Sequence, residues 1–118
     1  MGDKGKLGLD FPNLPYLIYG DFKLTESSAI VNYIIRKSGK TDLLGKSLED
    51  QAKVEMINSV IDEIFSPTQS LFFSPNHDKE SQRLFEGKIK DKLTSLSAFA
   101  NEKNTMLDYL TLADFKLA

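Results

Sequence analysis

The chain has 118 residues, of which 41% are hydrophobic and 27% charged, a composition typical of one globular domain or of parts of two. Its net charge of −2 provides no positive field to attract polyanions, so we expect neither nucleic acid nor an acidic membrane surface as a partner. The absence of cysteine excludes disulfides and thiolate ligands, and one histidine is too few for a histidine zinc cluster, so we expect no metal site.

The first predicted elements are a loop and a β-hairpin. The polar opening "MGDKGKLG" has no signal-like character, and no apolar run approaches the roughly 18 residues of a membrane span, so we expect a cytoplasmic protein. The segments "PYLIY" and "FKLT" are rich in residues that favour strands, and Gly20-Asp21 between them is typical of a two-residue turn. A hairpin with two strands is marginal by itself, which favours a larger sheet in the whole protein.

A helix is predicted directly after the hairpin. Ser27 or Ser28 is expected to be its N-cap, and Gly39 stands where a helix-ending glycine is common. The stretch 39–46 reads as a linker, and beyond it Ser47 with Asp50 predicts the start of a second helix. The apolar face of that second helix is predicted to consist of Ile57, Val60, Ile61, Ile64 and Phe65.

The rest of the chain also predicts helices. Pro67 should end or kink the second helix, and "SPNHDKE" predicts a break with His77 in a solvated loop. A third helix is predicted from about Ser81 to Ala100, with an apolar face made of Phe85, Ile89, Leu93, Leu96 and Phe99.

The final stretch, "LTLADFKLA", predicts a helix start. Thr111 and Asp114 have the spacing of a capping box, and Leu110 and Phe115 have that of a hydrophobic staple. The chain stops four residues after Asp114, about one helical turn, and an isolated turn is unfavourable in water. We therefore expect the chain to be the interior of a larger protein.

The segment "KLGLDFPNLPYLIYGDFKLTESSAIVNYIIRK" resembles the glutathione-binding half of the cytosolic glutathione transferases, most of all the mu class. The resemblance implies an α+β fold: residues 1–38 would be part of a thioredoxin-like domain, 39–46 a linker and 47–118 part of an all-α domain. It implies a homodimer that conjugates glutathione, its co-substrate, to hydrophobic electrophiles, with no other cofactor.

Physical chemistry supports the expected glutathione contacts. The resemblance implies a cis bond between Leu14 and Pro15, which would turn the N–H and C=O of Leu14 outward to pair with an extended peptide. Ser27 at a helix N-terminus suits the γ-glutamyl carboxylate, and Glu26 suits the γ-glutamyl ammonium. Each feature has an ordinary alternative: a trans proline that starts an edge strand, a serine that only caps the helix, and an acid that only complements the helix dipole.

Other contacts come from the resemblance alone. It assigns Lys4, together with Lys6, to the glycyl carboxylate, Asn13 to a backbone contact, and Asp62 to the glutathione of the partner subunit. The alternatives are solubility residues for the lysines and a solvated helix face for Asp62.

Three aromatic residues have two possible roles each. Phe11 matches an aromatic knob of the dimer interface or is a local apolar staple. Phe72 and Phe73 lie near the electrophile pocket of the family or belong to the core.

We identify no catalytic residue. A free thiol has a pKa of about 8.5, so a hydrogen-bond donor must favour the thiolate, and in the family that donor is a tyrosine or serine on the first strand. Tyr16 and Tyr19 follow the proline and do not match it. Three hypotheses remain open: a transferase of which this chain is a part, a silent glutathione-binding or dimerisation module, and a fragment that does not fold alone.

Overall fold

The computed structural model describes residues 4–71, 77–101 and 103–118. They form two compact units, Met1–Thr41 and Asp42–Ala118, and the division falls inside the stretch 39–46. The predicted domain bounds themselves stay a prediction. In the part of the chain that the structure describes, no helix has both the length and the apolar character needed to cross a membrane.

The first unit contains the predicted hairpin. Strand β1 (Tyr16–Tyr19) pairs antiparallel with strand β2 (Phe22–Thr25), and these two strands make up the sheet of the described residues. Gly20 in the turn between them has a φ of 60°, which glycine adopts without steric cost. The predicted two-residue turn is therefore confirmed.

Helix α1 (Ser27–Lys37) follows β2 after a single residue. The prediction of a serine N-cap is wrong: Ser27 is already the first helical residue, and the N-cap position is Glu26, whose side chain makes no capping bond. Because β2 runs to Thr25, only Glu26 remains to turn the chain. It does so with a φ of 69° rather than the extended backbone that a serine cap needs.

The C-terminal end of α1 agrees with the sequence. Gly39 has a φ of 74°, and its N–H donates to the carbonyl of Arg36 over 3.2 Å. The N–H of Ser38 donates to the carbonyl of Ile34 over 2.9 Å, so carbonyls of the last turn are satisfied in the way that a helix-ending glycine permits.

Aromatic contacts join α1 to the hairpin. The ring centroids of Phe22 and Tyr33 are 4.8 Å apart, and the Lys37 ammonium lies 4.2 Å from the centroid of the Tyr19 ring. Such a ring pair and such a cation–π contact each contribute about 1 kcal/mol. They fix the direction in which α1 leaves the hairpin, and with it the backbone around Glu26.

The second unit begins with a short 3₁₀ turn (Thr41–Leu44) and helix α2 (Leu48–Leu71). The N–H of Asp50 donates to the Ser47 hydroxyl over 3.0 Å, so the predicted helix start is confirmed. Pro67 does not end the helix, which continues through it to Leu71. The proline removes one backbone donor and is accommodated within the helix.

The core of the second unit lies on one face of α2. Phe65, predicted on this face, is instead 49% exposed, because one residue beyond Ile64 is a rotation of about 100° around the helix. Val60 is half-buried. The buried positions of the helix are Val54, Ile57, Ile61 and Ile64.

Helix α3 (His77–Leu84), a π-helical turn (Phe85–Ile89) and helix α4 (Lys90–Ala100) follow. The predicted third helix therefore starts about four residues earlier than expected, and the backbone of His77 is helical rather than part of a loop. The first three residues of the predicted break, 74–76, lie outside the described residues.

The predicted apolar face of this helical segment is only partly correct. Ile89 is buried and Leu96 is half-buried against the α2 cluster, whereas the other three residues are exposed. A π-turn contains one residue more than an α-turn and rotates the residues before it relative to those after it. Residues at a constant spacing of three and four therefore do not all lie on one face of this helical segment. The exposed residues are Phe85, Leu93 and Phe99.

Helix α5 (Leu112–Leu117) packs on α2 through the fully buried Ala113. The predicted capping box is confirmed, because the N–H of Thr111 donates to Oδ2 of Asp114 over 2.7 Å. The N–H of Met106 donates to Oδ1 of the same carboxylate, also over 2.7 Å. The staple between Leu110 and Phe115 stays a prediction, since each side chain keeps about half of its surface exposed.

Candidate functional site

The candidate site lies where the chain enters the hairpin. The Leu14–Pro15 peptide bond is cis, as the resemblance implies, and the Leu14 side chain is 61% exposed. Both observations exclude the ordinary alternative of a trans proline that begins an edge strand.

The side chain of Asn13 joins two of the predicted site residues. The N–H of Leu14 donates to Oδ1 of Asn13 over 2.9 Å, and Nδ2 of Asn13 donates to Oε1 of Glu26 over 3.4 Å. The N–H of Leu14 is therefore paired within the chain, which departs from the expectation that it faces outward for a peptide ligand. Asn13, Leu14 and Glu26 meet although they come from opposite ends of the hairpin.

Ser27 is adjacent to this group. It is exposed in the first turn of α1, where backbone N–H groups have no partner within the helix and the helix dipole favours an anion. The carbonyl of Glu26 accepts from the N–H of Ile30 over 3.0 Å and so belongs to that helix, while the Glu26 carboxylate turns back to Asn13. A negative side chain and an anion-binding helix end thus stand side by side.

The two predicted lysines belong to a 3₁₀ turn (Lys4–Leu7). Lys6 is exposed, and the side chain of Lys4 lies outside the described part of the structure. Nζ of Lys23 in β2 donates to the carbonyl of Leu7, which ties this turn to the hairpin. The sequence analysis did not single out Lys23.

Comparisons with known proteins agree with this geometry. Residues 5–36 match the family described as "Glutathione S-transferase, N-terminal domain". The chain is 38% identical over 114 residues to "Glutathione S-transferase 2" of Gallus gallus, an alignment that covers 96% of this chain and 50% of the relative. The chain thus resembles the glutathione S-transferases.

Further similar proteins include members of the mu class. The chain is 38% identical over 114 residues to "Glutathione S-transferase Mu 3" of Homo sapiens, covering 92% of this chain and 49% of the relative. A crystal structure of the glutathione S-transferase Blo t 8 superposes with a TM-score of 0.77 at 32% identity and covers 97% of this chain and 53% of that one. The chain thus spans about half the length of these relatives. It combines a part of the thioredoxin-like N-terminal domain with helices of the all-α domain, as the sequence analysis predicts.

Asp62 lies in the second unit. Its Oδ1 is 2.6 Å from Nζ of Lys116, which also donates to the carbonyl of Asn58 over 3.3 Å. The Asp62 side chain keeps 58% of its surface exposed. A contact with the glutathione of a partner subunit stays a prediction, and any such ligand would share the carboxylate with Lys116.

The aromatic candidates have different outcomes. Phe11 is 76% exposed, which argues against the local apolar staple, while its role in a dimer interface stays a prediction. Phe72 and Phe73 lie outside the described residues.

Proposed function

We propose that this chain is part of a glutathione transferase that joins the sulfur of glutathione to electrophilic small molecules. The observation that carries the proposal is the grouping of Asn13, the cis Leu14–Pro15 bond and Glu26 beside the N-terminus of α1. This grouping offers separate partners for an ammonium, a carboxylate and an extended peptide backbone, and all three are present in glutathione.

Each part of glutathione has a proposed partner in the first unit. The γ-glutamyl carboxylate accepts hydrogen bonds from the start of α1 and the Ser27 hydroxyl, because free N–H groups and the dipole favour an anion there. The γ-glutamyl ammonium pairs with Glu26. The cysteinyl backbone pairs with Leu14 in the manner of an added strand, which requires its N–H to exchange Asn13 for the ligand. Lys4 is proposed to contact the glycyl carboxylate.

The second unit is proposed to contribute in a homodimer. There Asp62 would approach the glutathione that the partner subunit binds, and Phe11 would contribute to the interface. Since Lys116 holds Asp62 at 2.6 Å, we expect the carboxylate to arrive already oriented.

The residues of the proposed site are assigned to binding, and none of them is assigned to activation of the thiol. A thiol of pKa about 8.5 needs a donated hydrogen bond to become a thiolate at neutral pH. We propose that this donor is a hydroxyl on a strand outside residues 1–118, and that Tyr16 and Tyr19 are not catalytic. The proposed location of the whole protein is the cytoplasm, where glutathione and its electrophiles would meet.

The alternative is a glutathione-binding or dimerisation module without turnover. It is favoured by the same observation, because the groups around Leu14 and Glu26 suit the charged ends of the ligand rather than its thiol. A fragment that does not fold alone is the third possibility, favoured by a two-stranded sheet in the described residues.

One set of measurements separates these possibilities. We expect the 118-residue chain to bind glutathione in calorimetry, and Ser27→Ala to weaken binding about fivefold, since one hydrogen bond to a charged group is lost. Ser28→Ala is the matched control. A cooperative unfolding transition without glutathione binding would refute the proposed function.

Activity should be tested on a form that includes the preceding strand. We expect conjugation of glutathione to a chloronitrobenzene there. Glutathione binding with an intact upstream tyrosine but no turnover would favour the silent module instead.

A further inference from the structure

The side chain of Lys23 joins strand β2 to the 3₁₀ turn Lys4–Leu7. Its ammonium nitrogen Nζ donates to the carbonyl of Leu7 over 2.5 Å, between residues 16 positions apart. The turn contains four residues, and the hydrogen bonds within a 3₁₀ turn have poor geometry, so its position depends on contacts from outside. The bond from Lys23 is such a contact, and its charge makes it stronger than a bond between two neutral groups.

The register of the hairpin explains how Lys23 reaches the turn. The ring of Phe22 contacts that of Tyr33 in α1, with centroids 4.8 Å apart, so Phe22 lies on the face that α1 covers. Neighbouring residues of a strand point to opposite faces, which places Lys23 on the other face of the hairpin. Its cross-strand neighbour Ile18 lies on that face as well. The turn Lys4–Leu7 is therefore fastened to the side of the hairpin that faces away from α1.

The residue after the turn, Gly8, leaves space for the ammonium of Lys23. A Cβ atom added at Gly8 would lie 3.0 Å from Nζ, closer than such atoms usually approach, and the φ of Gly8 is 61°. Glycine adopts this left-handed conformation without steric cost, whereas other residues rarely do. The backbone at Leu7 and Gly8 thus offers the ammonium both an acceptor and an open space, which indicates a defined position for this side chain.

The turn carries Lys4, which the proposed function assigns to the glycyl carboxylate of glutathione. A lysine on a backbone without a tie to the rest of the unit would have no fixed position relative to the hairpin. We propose that Lys23 is a positioning residue, which holds the turn so that Lys4 meets the glycyl carboxylate. It acts through the turn and not as a ligand contact of its own. The inference rests on the proposed function, and it makes Lys23 important for the glycyl end of glutathione only.

The test compares glutathione with its glycinamide analogue, in which a neutral amide replaces the glycyl carboxylate. We expect Lys23→Met in the 118-residue chain to weaken glutathione about threefold to tenfold in calorimetry and the analogue less than about twofold, because only glutathione uses the charge on the turn. Lys40→Met removes the same charge from an exposed position after α1 and is the matched control, which should leave both affinities within about twofold. Equal weakening of both ligands by Lys23→Met, or no weakening of either, would overturn the inference.

A double-mutant cycle separates positioning from direct contact. In a Lys4→Ala background, Lys23→Met should cost less than about twofold in glutathione affinity, because the lysine that it positions is gone. A loss of full size in that background would show that Lys23 meets the carboxylate itself, and it would overturn the inference while leaving the proposed function intact. Absence of glutathione binding by the unmodified chain would overturn both together.

A ligand-free measurement tests the bond that carries the inference. The carbonyl carbon resonance of Leu7 should shift in Lys23→Met, because a hydrogen bond to the carbonyl oxygen changes the shielding of the carbon. It should stay near its original position in Lys40→Met. A resonance that is the same in Lys23→Met and the unmodified chain would overturn the inference, whatever the ligand affinities are.

Discussion

The hydroxyl of Tyr109 donates to Oδ2 of Asp50 over 2.7 Å and joins two residues 59 positions apart in the second unit. The hydroxyl oxygen of Tyr109 accepts from the N–H of Lys46 over 2.8 Å, and the ammonium of Lys46 lies 4.2 Å from the centroid of the Tyr109 ring. One tyrosine therefore fastens the loop before α5 to the first turn of α2. This is also why the Asp50 carboxylate is not used for a reciprocal cap on Ser47.

The first prediction concerns this tyrosine. Tyr109→Phe keeps the ring and removes the bonds to Asp50 and Lys46, so we expect the free energy of unfolding to fall. Urea unfolding at neutral pH measures the change. Tyr19→Phe is the control, since its exposed ring faces Lys37 and that contact does not need the hydroxyl. Equal midpoints for Tyr109→Phe and the unmodified chain would contradict the structure.

The second prediction is the pH dependence of the same contribution. Burial raises the pKa of Tyr109 above its usual value of 10.0, the N–H of Lys46 acts in the opposite direction, and Asp50 raises it again. The folded state therefore holds the phenolic proton more tightly than the unfolded state does. Its stabilisation is complete below pH 10 and is lost as the pH rises through the folded pKa. We expect the stability difference between the unmodified chain and Tyr109→Phe to be constant from pH 7 to about 9 and to shrink above 10. A difference that grows with pH would have the wrong sign.

The third prediction concerns the carboxylate of Asp114. It accepts from the N–H groups of Met106 and Thr111, and both of these residues are buried. Asp114→Ala leaves two buried donors without their partner, which should lower the free energy of unfolding by about 2–4 kcal/mol. Asp108→Ala is the control, because the side chain of Asp108 is 95% exposed, and it should cost less than about 0.5 kcal/mol. Similar losses in both variants would show that the capping box is not the cause.

The fourth prediction tests whether Phe65 belongs to the apolar face of α2, as the sequence predicts, or lies outside it, as the structure shows. Ile61 is fully buried among Ile57, Met106 and Ala113, so Ile61→Ala should cost about 2–5 kcal/mol through loss of transfer energy and creation of a cavity. Phe65→Ala removes more atoms but leaves a half-exposed position and should cost less. Thermal or urea unfolding of both variants gives the comparison. A larger loss in Phe65→Ala would restore the face predicted from the sequence.

Many elements of the fold could be predicted from sequence because their causes are local. The turn at Gly20, the end of α1 at Gly39, and the capping box of Thr111 and Asp114 each depend on a few neighbouring residues. The cis bond before Pro15 and the adjacency of Glu26 and Ser27 followed from the family resemblance. The candidate site could therefore be located from the sequence.

Predictions failed where the deciding contact came from another element. The N-cap of α1 moved from serine to Glu26 because β2 extends to Thr25. Helix α2 continues through Pro67, although the local rule predicted an end or a kink there. The regular spacing of Phe85, Leu93 and Phe99 predicted one apolar face, but the π-turn at Phe85–Ile89 rotates the residues before it relative to those after it. No local rule contains these effects.

By itself, the sequence determined the order of the elements and led to the residues that we propose to meet glutathione, since turn, cap and motif residues act over a few positions. Only the tertiary structure decided that Asn13 connects Leu14 to Glu26 and that Tyr109 connects Lys46 to Asp50. The first link depends on the two ends of the hairpin lying side by side, and the second on the loop before α5 lying against the start of α2. A hydrogen bond forms only when folding brings its donor and acceptor within about 3 Å.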